Sequence, residues 1–224
     1  MNLDENQIIL SFSKSLFDCD FNGVAEDLAN VSLDTIFDDE TLSCVPIVRT
    51  VIAVGKTVHS FCQKNAILQT LHFIEAFKSQ KIPKEKIDRY RKRFSTNQKF
   101  REQELGRVLV LLEKNVDIEK SKILAYLYGG YINGEIDWNK FRELSDLNSR
   151  MFVSDIPLLF DINSGRVKDT SQCISYQVDR LVSLGLITST PKTIYPGSVS
   201  EDRYVASTEL GKIYCGLTKD IVKN

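Results

Sequence analysis

The chain has 224 residues, with 29 Lys or Arg against 30 Asp or Glu, a net charge of −1, and 42% hydrophobic residues. That length and composition suit one or two globular domains with a substantial core, and they exclude collagen-like and low-complexity chains. Five cysteines, Cys19, Cys44, Cys62, Cys173 and Cys215, are odd in number and widely spaced, which gives neither a zinc framework nor a disulfide ladder.

Residues 1–44 form an acidic arm, with ten Asp or Glu and a single basic residue, Lys14. Its opening, MNLDENQ, is polar and acidic rather than basic then apolar, so no secretory signal is expected and the expected location is cytoplasmic. Leu28, Val31, Leu33, Ile36 and Phe37 fit a helix, which would leave Asp38, Asp39 and Glu40 unfavourably at its C-terminal end.

The stretch 45–94 organises the rest of the chain. Ile47, Val48, Val51, Ile52, Val58 and Phe61 recur at three- and four-residue steps, with polar residues between them. That is a helical period, and Pro46 suits its first turn, where a missing N–H has no partner to lose. The pattern runs on through Ile67, Leu68, Leu71, Ile74 and Phe77, with Gly55 the one interior weak point. Gly55-Lys56-Thr57 has the end of a phosphate-binding loop, but the required glycine five residues earlier is Thr50, so that reading is set aside. A core helix and an interfacial membrane helix presenting those six apolar residues both fit. Arg49 and Lys56 interrupt the run too early for a transmembrane span.

From 78 to 101 there are ten Lys or Arg against only Glu85 and Asp88. Ile87, Tyr90 and Phe94 keep a helical step, so Lys84, Lys86, Arg89, Arg91, Lys92 and Arg93 are expected to decorate one helix after the Ile82-Pro83 break. Such a cluster attracts phosphate, in nucleic acid or in anionic lipid headgroups. The alternative is that it pairs with the acidic arm, or that the arm shields it until a partner arrives.

Segment 102–165 reads as a helical bundle. Leu105, Val108, Leu112 and Val116 give one stripe, and Ile123, Leu124, Leu127 and Tyr131 a second, weakened near its end by Gly129 and Gly130 and stopped by Asn133-Gly134. Asp137 is expected to cap a third helix beginning at Trp138, and 153–160 a fourth, with Asp155 and Pro157 in its first turn. Tyr126, Tyr128, Tyr131 and Trp138 are read as core and rim aromatics.

In 166–224, Asp169-Thr170-Ser171 is expected to cap a helix over 171–184 that ends at Gly185. A strand at 186–190, a connection holding Pro191, Pro196 and Gly197, and a return strand at 203–207 follow, and then Thr208 caps a last helix. A helix ending in Leu-Gly-Leu-Ile, a hairpin and then Thr-x-Leu-Gly resembles the winged-helix architecture of many bacterial regulators. Used on DNA, that architecture would make Gln172, Ser175, Gln177, Arg180 and Lys192 the contacts. The segment holds eight basic against six acidic residues, a thin footprint for duplex binding, so protein contact is placed slightly ahead.

The order of parts, an apolar amphipathic stretch with a glycine, a basic helix around RYRKRF, a helical middle and a terminal RLVSLGLI…TELGKIY module, is similar to that of bacterial and phage-encoded proteins of the Abi-alpha type. That resemblance implies a non-enzymatic role in abortive infection and phage defence, and it supplies no catalytic residue. His59 and His72, the only histidines, lack the i, i+4 spacing of a helical zinc pair. The expectation is therefore a mainly α protein, a helical bundle with a small C-terminal α+β winged-helix-like module, in segments 1–44, 45–101, 102–165 and 166–224. No catalytic, cofactor or metal site is expected. The expected partners are a protein, an anionic membrane surface reached from the cytoplasmic side at the inner membrane, or DNA.

Overall fold

The computed structural model describes residues 3–21, 23–24, 28, 36–54, 61–192 and 202–222. Several expectations, on Val31, Leu33, Gly55, Lys56, Thr57, Val58, His59, Pro196 and Gly197, fall outside the described residues, as does the side chain of Phe61. The chain is mainly helical and divides into two compact units, Met1–Phe141 and Arg142–Asn224. The expected boundaries at 44/45 and 101/102 lie inside the first.

Unit 1 holds α1 (Leu3–Phe17), α2 (Glu40–Ser43), α3 (Pro46–Val54), α4 (Phe61–Lys78), α5 (Lys84–Thr96), α6 (Gln98–Lys114), α7 (Ile118–Ile132) and the start of α8 (Trp138–Arg150). α4 packs along α7, α1 on α3 and α6, and α5 on α6. An aromatic chain runs through the core. Phe12 meets Phe73 at 5.9 Å between ring centroids, Phe73 and Phe77 meet Tyr128 at 6.0 and 5.9 Å, and Tyr128 meets Phe141 at 5.5 Å. Such offset and tilted pairs add about 0.5–1.5 kcal/mol each beyond the area they bury.

Local signals set several of these ends. α3 begins at Pro46 and α8 after Asp137, whose Oδ1 accepts from the Lys140 N–H at 2.7 Å. The helix expected through Leu28, Val31, Leu33, Ile36 and Phe37 lies largely outside the described residues, and Asp39 stands at the start of α2. Its side chain accepts from the Leu42 N–H at 2.9 Å, placing Asp39 and Glu40 at a positive helix end. α7 passes through Gly129-Gly130 and ends just before the expected stop at Asn133-Gly134. It continues to Ile132 because Gly129 makes room for Gln80, whose amide donates to Ala76 and Ala125 carbonyls, while a Cβ there would lie 1.9 Å from Gln80 Oε1. Val116 falls off the expected stripe: α6 ends at Lys114, and Val116 is 79% exposed.

Unit 2 holds the end of α8, α9 (Asp155–Asn163), α10 (Ser175–Ser183), the strands β1 (Ile187–Pro191) and β2 (Arg203–Ser207), and α11 (Glu209–Val222). The strands form a two-stranded antiparallel sheet in which Ile187 faces Ser207 and Pro191 faces Arg203. α9 packs on α11 and β2, and α10 on β1, around Leu159, Val178, Leu181, Leu186 and Tyr214. Thr208 caps α11 by accepting from the Gly211 N–H at 3.0 Å. Gly211 must be glycine, since a Cβ would stand 2.1 Å from the Leu186 carbonyl oxygen.

α10 starts four residues later than expected. Asp169 does not cap it: that carboxylate binds the Ser171 N–H and hydroxyl and the Lys192 ammonium instead. Residue 172 therefore precedes the helix.

Candidate functional site

Pro83, at φ −55°, directs the chain into α5, and Phe94 anchors the helix as a fully buried residue. Phe94 touches Phe17 at 5.6 Å and Phe100 at 5.3 Å between centroids. With one side fixed by Phe94, Ile87 and Tyr90, the helical period puts Lys86, Arg89, Lys92 and Arg93 within an arc of about 120° on the other side. Glu85 shares that arc. Lys84 and Arg91 turn away from it; Arg91 pairs with Asp18 at 2.7 Å. That contact joins the acidic arm to the basic helix, and at this exposure it contributes less than about 1 kcal/mol.

One edge of the arc borders a concavity of about 340 Å³. Lys86, Arg89, Tyr90 and Arg93 line one wall, and Tyr131, Asn133 and Gly134, at the end of α7, line the other. The Lys86 ammonium donates to the Asn133 carbonyl and to Asn133 Oδ1, the latter at 3.0 Å, tying α5 to the turn after α7. Arg93 lies over the Phe100 ring, 3.4 Å from its centroid, which restricts its guanidinium. Arg89 and Arg93 form no ion pair among the described residues.

Behind Tyr131 sits Glu104, 4% exposed on α6. The Tyr131 hydroxyl donates to Glu104 Oε1 at 2.6 Å, and Oε2 has no hydrogen-bond partner among the described residues. Burial pushes the carboxyl up to about 7, against the opposing influence of the Tyr131 hydroxyl and of Arg93. The same burial, with the bond to Glu104, drives the Tyr131 phenol far above its ordinary range. Sequence reading missed Glu104. Its only signal was an acid on the stripe of Val108 and Leu112 at steps of four.

The apolar face expected on 45–61 divides. Ile47 and Val48 are buried core residues of unit 1, and the Ile47 N–H donates to Ser15 Oγ at 3.0 Å. Val51 and Ile52 are half-buried. Two of the six residues proposed to meet a bilayer thus already pack inside unit 1.

In unit 2, Arg180 makes two hydrogen bonds to Asp155, at 2.7 and 2.5 Å, and Asp155 is fully buried. The guanidinium also lies 4.5 Å from the Phe152 ring and 5.5 Å from that of Tyr176. Gln177 donates to the Ser154 carbonyl at 3.2 Å, and Lys192 pairs with Asp169 at 2.6 Å, an interaction that with the Ser171 bonds holds the Asp169 carboxyl down at about 2. Gln172 and Ser175 are exposed. Phe152 and Tyr176 are 60% and 62% exposed, one on either side of the Arg180 guanidinium.

No family model, curated protein or solved structure matches the chain. Function therefore has to be argued from these side chains. Among the described residues no helix is long and apolar enough to cross a membrane, and no cluster of three or more His, Cys, Asp and Glu could hold a metal ion. His72 is buried and meets Glu75 at 3.2 Å, and the cysteines are free thiols.

Proposed function

We propose that this chain is a non-enzymatic interaction protein that docks peripherally on an anionic membrane surface through the basic face of α5. The observation that carries this reading is the arc of Lys86, Arg89, Lys92 and Arg93, held rigidly by Phe94 and interrupted by Glu85 alone. Each basic residue near an anionic leaflet contributes about 1 kcal/mol. Four cations less one acid give roughly 3 kcal/mol, or on the order of 100-fold enrichment at the surface, which salt would screen away. Docking is electrostatic rather than insertive, because Ile47 and Val48 are occupied in the core.

Unit 2 is the second contact module, and its winged-helix-like order of helix, hairpin and helix serves a protein partner in this reading. Exposed Phe152 and Tyr176 flanking a fixed Arg180 have the composition of an interface anchor. The alternative use, a transcriptional regulator reading DNA through α10, draws less support. Arg180 and Lys192 are engaged by Asp155 and Asp169, and Arg203 by Asp179 at 2.7 Å. A role in abortive infection, in the cytoplasm at the inner membrane, rests on the layout resemblance to Abi-alpha-type proteins.

Charge reversal of Arg89, Lys92 and Arg93 to Glu, which leaves the Arg91–Asp18 pair intact, tests the assignment by vesicle sedimentation. Anionic-vesicle binding should be abolished, and unchanged binding would overturn the role of α5.

A further inference from the structure

The arc on α5 explains attraction to a charged surface, but it does not require the concavity at its edge. Arg89 and Arg93 are one helical turn apart, about 6 Å between Cβ atoms, a separation at which two guanidinium groups can hold one phosphate from the same side. Arg93 is already stacked on Phe100, so little of its freedom remains to be lost on binding. Lys86 is the third cation; its ammonium uses donors on Asn133 and keeps one of its three for a ligand. Tyr90 supplies an aromatic wall, set edge-on to Tyr131 at 5.5 Å.

No carboxylate lines the concavity, and Glu104, behind Tyr131, is only 4% exposed. The volume, about 340 Å³, lies at the lower end of small-molecule sites and admits a phosphate with a small organic group attached.

Building on the reading of α5 as a phosphate-facing surface, we infer that this concavity is a binding site for a phosphomonoester, gripped by Arg89, Arg93 and Lys86 with its organic portion against Tyr90. A monoester presents three terminal oxygens and approaches two negative charges at neutral pH, because its second pKa is about 6. A diester offers two such oxygens and one charge, a poorer match to three converging cations. The same chemistry occurs on a lipid headgroup of the phosphatidic acid kind and on soluble sugar or glycerol phosphates.

The experiment sediments the full chain with phosphatidic acid vesicles and with phosphatidylserine vesicles matched in surface charge, and titrates it with soluble glycerol 3-phosphate by calorimetry. The site predicts a preference of about tenfold or more for phosphatidic acid. Arg89→Gln with Arg93→Gln should erase that preference. Lys84→Gln with Lys92→Gln, the same change in charge away from the concavity, should keep it while weakening both vesicle types alike. All four substituted side chains are exposed, and far-UV circular dichroism with Trp138 emission checks that each variant folds.

Equal binding to both vesicle types overturns the monoester site and leaves the membrane reading standing. Binding of glycerol 3-phosphate that is lost in the Arg89 and Arg93 variant, without vesicle binding, supports the site and overturns the membrane reading. Binding to none of the three overturns both.

Discussion

Raising the pH from 5 to 8 should cost unit 1 roughly 2–3 kcal/mol of stability through one side chain, Glu104. The carboxyl titrates near 4.5 when the chain is unfolded and at about 7 in the buried site behind Tyr131. Below 4.5 it is neutral in both states, so the full contribution is present. As pH rises, the unfolded chain gives up its proton first, and stability falls until the folded carboxyl also ionises. The whole gap corresponds to roughly 3 kcal/mol, most of it spent between pH 5 and 8.

Glu104→Gln keeps an oxygen acceptor for the Tyr131 hydroxyl and removes the charge, so its stability should vary far less over that range. The assay is urea unfolding at a series of pH values, followed by the emission of Trp138. It is the single tryptophan and lies in unit 1, 5.2 Å from Tyr131 between ring centroids. Glu75 works in the opposite sense. The His72 bond pulls its carboxyl below the usual range, so its contribution is lost as pH falls. It is common to both proteins and drops out of their difference. Parallel pH slopes for wild type and Glu104→Gln would refute the burial argument.

Asp155→Ala should destabilise unit 2 by about 2 kcal/mol, because it removes charge-assisted hydrogen bonds from Arg180 and an acceptor from the Phe152 N–H; faster hydrogen exchange over residues 175–191 checks this, and unchanged exchange would contradict it. Gly211→Ala should cost about 2 kcal/mol or more, since the new Cβ meets a backbone carbonyl. Gly216→Ala on the same helix has open space and should gain up to about 1 kcal/mol in thermal unfolding. Asp39→Ala removes the cap of α2 and should cost about 1 kcal/mol, seen as faster exchange over residues 40–44.

What the sequence disclosed was local. Pro46, Asp137 and Thr208 each act within one helical turn, and all three helix starts are where those residues place them. The return strand Arg203–Ser207 follows equally from its own alternation and flanking residues. The discrepancies have partners far away along the chain. Asp169 resembles a helix cap, but Lys192, 23 residues on, draws its carboxylate elsewhere and α10 starts late. The bond from Arg180 to Asp155, 25 residues earlier, is likewise invisible to local pattern. The concavity on α5 joins that helix to the end of α7, with α6 supplying the acid behind, and no periodicity within one helix specifies such a meeting. Ile47 and Val48 likewise have the same spacing whether they face lipid or α1; burial decided it.

The most direct test of the basic face as a membrane-docking surface is sedimentation of the purified chain with anionic and neutral vesicles at low and high salt, with duplex DNA as competitor. The account predicts binding to anionic vesicles alone, weakening steeply as salt rises and surviving a modest excess of DNA. Binding to neutral vesicles with no salt dependence, or complete displacement by DNA, would contradict it.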